Sequence, residues 1–159
     1  MQPEIDLFWT CVSPQDLHNA HSYASNHPNI AVHPIVQDEY LTTFDNKGLV
    51  VDNLTSSRTL RLIAQRSTAT YVALFLRPTR FQPAYRCMER LHQVAACTQA
   101  AMVYADHWMQ REEADGSLSP AQLHPSIDYQ VGSVRDDFDF GGLWFVRGDL
   151  LRNFVGENK

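Results

Sequence analysis

The sequence predicts an α/β protein: a mostly parallel β-sheet with helices on both faces, plus a β-hairpin. Three observations predict it. Short apolar, β-branched or aromatic runs alternate with helical patterns across residues 5–106, as strands and their covering helices do. The segment "HWMQREEADGSLSPAQLHP" reads as a hairpin turning at Ala114-Asp115-Gly116. No repeat, low-complexity tract or internal linker interrupts the chain, so its 159 residues form a single domain, 1–159.

Each element has a local reason. "IDLFWTCV" (5–12) is apolar and aromatic, a buried strand. Ser13-Pro14-Gln15-Asp16 starts a helix, with Ser13 as N-cap, Pro14 in the first turn and Asp16 closing a capping box. That helix runs to about Asn26, and "IAVHPIV" (30–36) follows as a strand whose Pro34 suggests an edge or an early end. "LVVD" (49–52) is a third strand, and the capping residues after it open a helix over 56–67 with Leu60, Ile63 and Ala64 on one face. "YVALFL" (71–76) is the fourth strand. Pro83 opens a helix that ends near Gln99, "AAMVYAD" (100–106) is the fifth strand, and "GGLWFVR" (141–147) is the last, with a short helix from about Gly148.

The 44% hydrophobic and 19% charged content suits a globular protein with one core. No run approaches the ~18 apolar residues of a membrane helix. The N-terminus lacks a basic start and an apolar stretch, so a cytoplasmic chain is expected, with a peripheral place at the inner membrane left open. Cys11, Cys87 and Cys97 show no CxxC spacing and read as reduced, mostly buried thiols. The net charge of −5 speaks against nucleic acid as partner. Charge is segregated: residues 58–90 carry seven arginines against one acid, between two acidic stretches. Arg61, Arg66, Arg86 and Arg90 read as solvated helix faces, whereas Arg77 and Arg80 directly follow a strand.

Sheets of this kind bind ligands beyond the carboxyl ends of their strands. The residues there are Cys11 to Ser13, Gln37 and Asp38, Asp52 to Thr55, Arg77 to Arg80, and Asp106 with His107. No GxGxxG and no P-loop motif is present.

With "ATYVALFL", "AAMVYADHW" and above all "HPSIDYQVGSVRDDFDFG", the chain resembles the nucleotide-sugar-binding part of family 2 glycosyltransferases with the GT-A fold, and in particular a bacterial subgroup with such segments. The resemblance covers nearly the whole chain and is weakest over the first 45 residues. It implies a nucleotide-diphospho-sugar transferase-like fold and transfer of a sugar from a nucleotide sugar to a hydroxyl of a glycan or lipid acceptor. It further implies that Ser13, with Asp38 or Asp52, lies near the nucleoside. The Pro-Thr-Tyr that usually ends the first strand is here Thr10-Cys11-Val12-Ser13. The family's catalytic base usually lies beyond the strand equivalent to "GGLWFVR", so the acceptor segment is expected downstream of Lys159.

The largest departure is after the fourth strand. The family carries there an Asp-x-Asp that holds a divalent metal, and this chain reads Arg77-Pro78-Thr79. Magnesium and manganese want carboxylate oxygens, so no metal is expected at this place. Two readings stand. Arg77, Thr79 and Arg80 bind the diphosphate in the metal's stead, through guanidinium forks. Alternatively the site is lost, the arginines form intramolecular ion pairs, and the chain is a non-catalytic interaction module.

"RDDFDFG" offers Asp137 and Asp139 as a base or a sugar contact. In an extended segment they share one face and Phe138 and Phe140 the other, which equally suits a strand entering a sheet. His107 and His124 could meet across the hairpin, but with Asp128 they match no zinc spacing. Trp108 and Tyr129 could stack on a sugar or base, with core or hairpin packing the favoured expectation.

Overall fold

The computed structural model describes residues 3–38, 48–132 and 138–157. The elements run β1 (Ile5–Thr10), α1 (Pro14–Asn26), β2 (Ile30–Gln37), β3 (Leu49–Val51), α2 (Ser57–Arg66), β4 (Tyr71–Phe75), α3 (Cys87–Thr98), β5 (Met102–Val103), β6 (His107–Met109), β7 (Gln122–His124), β8 (Leu143–Arg147) and α4 (Gly148–Glu157). Six strands form one sheet in the order β3-β2-β1-β4-β8-β5, and β6-β7 is a separate hairpin. The pairs β3–β2, β2–β1 and β1–β4 are parallel, while β8 is antiparallel to both β4 and β5. The expected α/β class, mostly parallel sheet and separate hairpin are therefore present.

Alternation along the strands divides the interior in two. Ile5, Leu7 and Trp9 of β1 join Tyr71 and Ala73 of β4 and Phe145 of β8 on one face, under α1 through Ala20 and α3 through Met88, Leu91 and Ala95. Phe8, Val72 and Leu74 join Ile35 on the other, under Ile63 of α2, with Val146 of β8 and Leu151 of α4 packed against them. β1 and β4 are buried along their whole length, as strands covered on both faces must be.

Local chemistry sets the helix starts. Ser13 caps α1 by accepting the Asp16 backbone N–H, but the expected capping box is only half formed: Asp16 Oδ2 takes the Ser13 hydroxyl at 2.7 Å and the Val12 amide at 3.3 Å rather than the Ser13 amide. Ser56 caps α2 by accepting from the Thr59 N–H. Its buried face is Thr59, Ile63 and Ala64, with Leu60 half-buried.

Four expectations need correction. α3 begins at Cys87 rather than Pro83, because Phe81 stacks on Phe75 at 4.3 Å and meets Trp9 edge-on at 5.1 Å, tying the chain to the sheet before a helix can start. Arg86 then turns the chain with a left-handed φ of 56°. The fifth strand pairs only over Met102–Val103 instead of 100–106. The last strand starts at Leu143, just after Gly141 takes a φ of 82° that breaks extended backbone. Pro34 is on an interior strand, but β3 pairs only with Ile35 to Gln37, so the proline lies where one side of β2 is uncovered.

A buried carboxylate pins the amino ends of the strands. Asp6 is 1% exposed. Its Oδ1 lies 2.9 Å from His33 Nε2 on β2, and its Oδ2 accepts the backbone N–H groups of Thr68 and Ala69 just before β4, at 2.7 and 2.9 Å. Burial works to raise the Asp6 carboxyl, but the His33 bond and the two amide bonds outweigh it and hold it below the usual carboxylate range. No helix among the described residues is long and apolar enough to cross a membrane.

Asp6→Ala leaves three donors without their acceptor, at about 1–3 kcal/mol each, so a loss of at least about 3 kcal/mol in urea unfolding is expected. Because the folded carboxyl sits below its unfolded value, its contribution is complete above about pH 4 and is lost as pH falls through the folded value. The variant should therefore lose less stability between pH 5 and 2 than the wild type, and parallel pH profiles would contradict the network.

Candidate functional site

Strand order reverses at β1: the chain moves out to β2 and β3 on one side and returns to β4 on the other. The carboxyl ends of β1 and β4 thus flank the switch point, where open α/β sheets hold their ligands. Thr10 Oγ1 donates to the Phe75 carbonyl at 2.8 Å and fixes these two ends together. From this edge project Ser13, after β1, and Leu76 to Arg80, after β4.

Arg77 Nη2 donates to Asp139 Oδ1 at 2.9 Å. The Gly141 N–H donates to the same oxygen at 2.8 Å. That amide bond, opposed by partial burial and helped by the Arg77, His107 and His124 charges, holds the Asp139 carboxyl below its ordinary range. Asp139 is therefore a fixed negative charge and a weak proton acceptor. Phe138 and Phe140 turn to the other side and contact the Tyr104 ring, at 6.0 and 5.3 Å, as alternation in an extended segment requires. Asp137 lies outside the described residues.

Arg80 Nε stands 3.9 Å from Asp16 Oδ1. Asp52 is exposed, accepts its neighbour's amide from Asn53 and faces Arg58 at 3.7 Å. Asp38 and Thr79 are exposed at the ends of β2 and β4. The sheet thus brings Ser13, Arg77, Thr79 and Arg80 together at the β1–β4 step, with Asp139 reaching in, and leaves Asp38 and Asp52 one and two strands farther out. With strands about 4.8 Å apart, Asp52 is roughly 14 Å from Arg77 across the edge.

The hairpin borders this cluster. Gly116 turns it with a φ of 81°, and His107 pairs with His124, their rings stacked at 5.2 Å. Both ring nitrogens of His107 are buried without a partner. Burial first, then the charges of His124 and Arg77, hold the His107 imidazole below its ordinary value against the pull of Asp139 and Asp106. Among the described residues no group of three or more His, Cys, Asp or Glu side chains could hold a metal ion. Trp108 and Tyr129 are 67% and 60% exposed, which corrects the expectation of core packing, while Trp108 sits in the hairpin opposite Leu123.

The thiols take no part here. Burial and the Asp16 charge push Cys11 up to about 12, far from a reactive thiolate. Cys87 is half-buried and Cys97 exposed, against the expectation of mostly buried thiols. One groove of about 190 Å³ lies away from the edge, at the amino ends of β1 and β2, and another of about 280 Å³ lies beside β5, lined by Tyr104, Asp106 and Tyr129 among others. Sequence reasoning missed Asp16, which reads only as a cap because its partner Arg80 lies on another element.

The folded value of His107 is depressed, so its contribution to stability is complete above about pH 6.5 and falls away as pH drops below that unfolded value. Wild-type melting temperature should fall between pH 7.5 and 5, and His107→Asn should flatten the slope; equal slopes would show that the buried imidazole is not neutral. No family model, curated protein or solved structure matches this chain.

Proposed function

We propose that the chain is the nucleotide-sugar-binding part of a glycosyltransferase of family 2 type with the GT-A fold, working in the cytoplasm without the usual Asp-x-Asp metal site. One observation carries this reading: two arginines follow β4 at the switch point, where this sequence resembles the family except for the missing acid pair. The order strand, helix, strand, strand, helix, strand, helix, strand, hairpin, strand supports it.

The chemistry is electrostatic. Arg77 and Arg80 meet the diphosphate oxygens and offset the charge that grows on the leaving nucleoside diphosphate. Thr79 adds a hydroxyl donor to the phosphates. Ser13, with Asp38 or Asp52, takes the nucleoside on the β1–β3 side of the edge. Asp139 lies at the sugar or the acceptor, a glycan or lipid hydroxyl, with Asp137 as the other carboxylate of that segment. Since Asp139 is held ionised, its part is to orient a hydroxyl or a developing positive charge rather than to store a proton.

A second reading has its own observation. Each arginine already faces a carboxylate of this chain, Arg77 with Asp139 and Arg80 with Asp16. A non-catalytic module that kept the fold would look the same.

Calorimetry with UDP, GDP and TDP separates the two. Binding of at least one is expected, weakened about tenfold to a hundredfold in Arg77→Ala, the worth of one charge-assisted hydrogen bond. Absence of binding to all three would remove the transferase reading for this chain and leave the module.

A further inference from the structure

Asp16 is a buried charge with an unusual division of partners. The residue is 1% exposed. Its Oδ2 takes the Ser13 hydroxyl at 2.7 Å and the Val12 amide at 3.3 Å. Its Oδ1 is buried and has no hydrogen-bond partner. An N-terminal cap needs one carboxylate oxygen, so the second is not explained by the helix. The nearest cation is Arg80, whose Nε stands 3.9 Å from that oxygen, inside ion-pair range and beyond hydrogen-bond reach. The Arg80 side chain is 60% exposed, yet its backbone is held, because the next residue, Phe81, is wedged against Phe75 and Trp9.

We propose that Asp16 is a positioning residue that turns Arg80 into an anion receptor for the β1–β4 crevice, with a phosphate or diphosphate oxygen as its ligand. This rests on the nucleotide reading above. A guanidinium presents two edges, one through Nε and one through its two Nη nitrogens. A carboxylate fixed on the inner side takes the Nε edge and leaves the Nη pair facing outward, as a fork for phosphate. The rotamer freedom Arg80 would lose on binding is thereby reduced beforehand. The inner carboxylate does not itself touch the anion.

This makes a prediction of sign. Removing a carboxylate near an anion site strengthens binding if charge alone matters. Removing one that orders the receptor weakens it. UDP and inorganic pyrophosphate are titrated into wild type, Asp16→Asn, Arg80→Ala and the double variant. Asn keeps an oxygen for the cap while losing the charge. Expected is about a tenfold weaker affinity in Asp16→Asn, from the lost ordering of the receptor, and a double variant no weaker than Arg80→Ala alone. Ser67→Ala, which removes the hydrogen bond of Ser67 to the Ala64 carbonyl at the opposite, amino-end side of the sheet, should leave both affinities unchanged. Tighter binding in Asp16→Asn, multiplying effects in the double variant, or an equal loss in Ser67→Ala each overturns the proposal.

A second readout needs no ligand. In nitrogen-15 relaxation at mildly acid pH the Arg80 Nε–H signal should show a higher order parameter in the wild type than in Asp16→Asn; equal order overturns the proposal. If the wild type binds neither probe, the nucleotide reading falls, and the Nε–H signal alone decides whether Asp16 orders Arg80.

Discussion

Every feature of the candidate site depends on the seam between β1 and β4. The two strands are buried along their full length, and β1 supplies a polar bolt at each end. At the amino end Asp6 holds the backbone just before β4 through two amides. At the carboxyl end Thr10 donates to the Phe75 carbonyl. Between them apolar burial provides the bulk of the stabilisation, and the bolts fix which residues emerge beside each other. A one-residue slip of β4 would exchange its two faces and move Arg77 away from Ser13 and Asp139.

The edge that emerges is balanced rather than simply basic. Two guanidiniums each face a carboxylate at the step, with a stacked histidine pair beside them. Such an arrangement suits a ligand that is itself charged and enters between existing partners, because each arginine keeps donors beyond those its own carboxylate uses. Asp139 spends one oxygen on Arg77 and Gly141 together, and Asp16 holds one oxygen without a hydrogen bond. The buried partner is the stronger constraint, since an unpaired charge costs more away from water than at the surface.

Much of this was legible in the sequence because its causes are local. Ser13 caps α1 through the Asp16 amide within four residues, Ala114-Asp115-Gly116 turns the hairpin, and the pairing of His107 with His124 follows from that turn. What was not legible depends on distant partners. "IDLFWT" does not say that its acid is bound by groups 27, 62 and 63 residues away. Periodicity carries no direction, so nothing in "GGLWFVR" announces that β8 runs against its neighbours. Pro83 is a sound helix start, displaced because the Phe81 ring is worth more against Phe75 and Trp9 than a further turn of helix. Asp16 as a partner of Arg80 was invisible for the same reason.

In the transferase reading proposed above, arginines take the place of a metal at the end of β4. Calorimetry of this chain with a nucleoside diphosphate, once with manganese and once with the chelator EDTA in its place, tests it. Equal affinities are expected. A nucleoside diphosphate that binds tenfold or more tightly with manganese would contradict it.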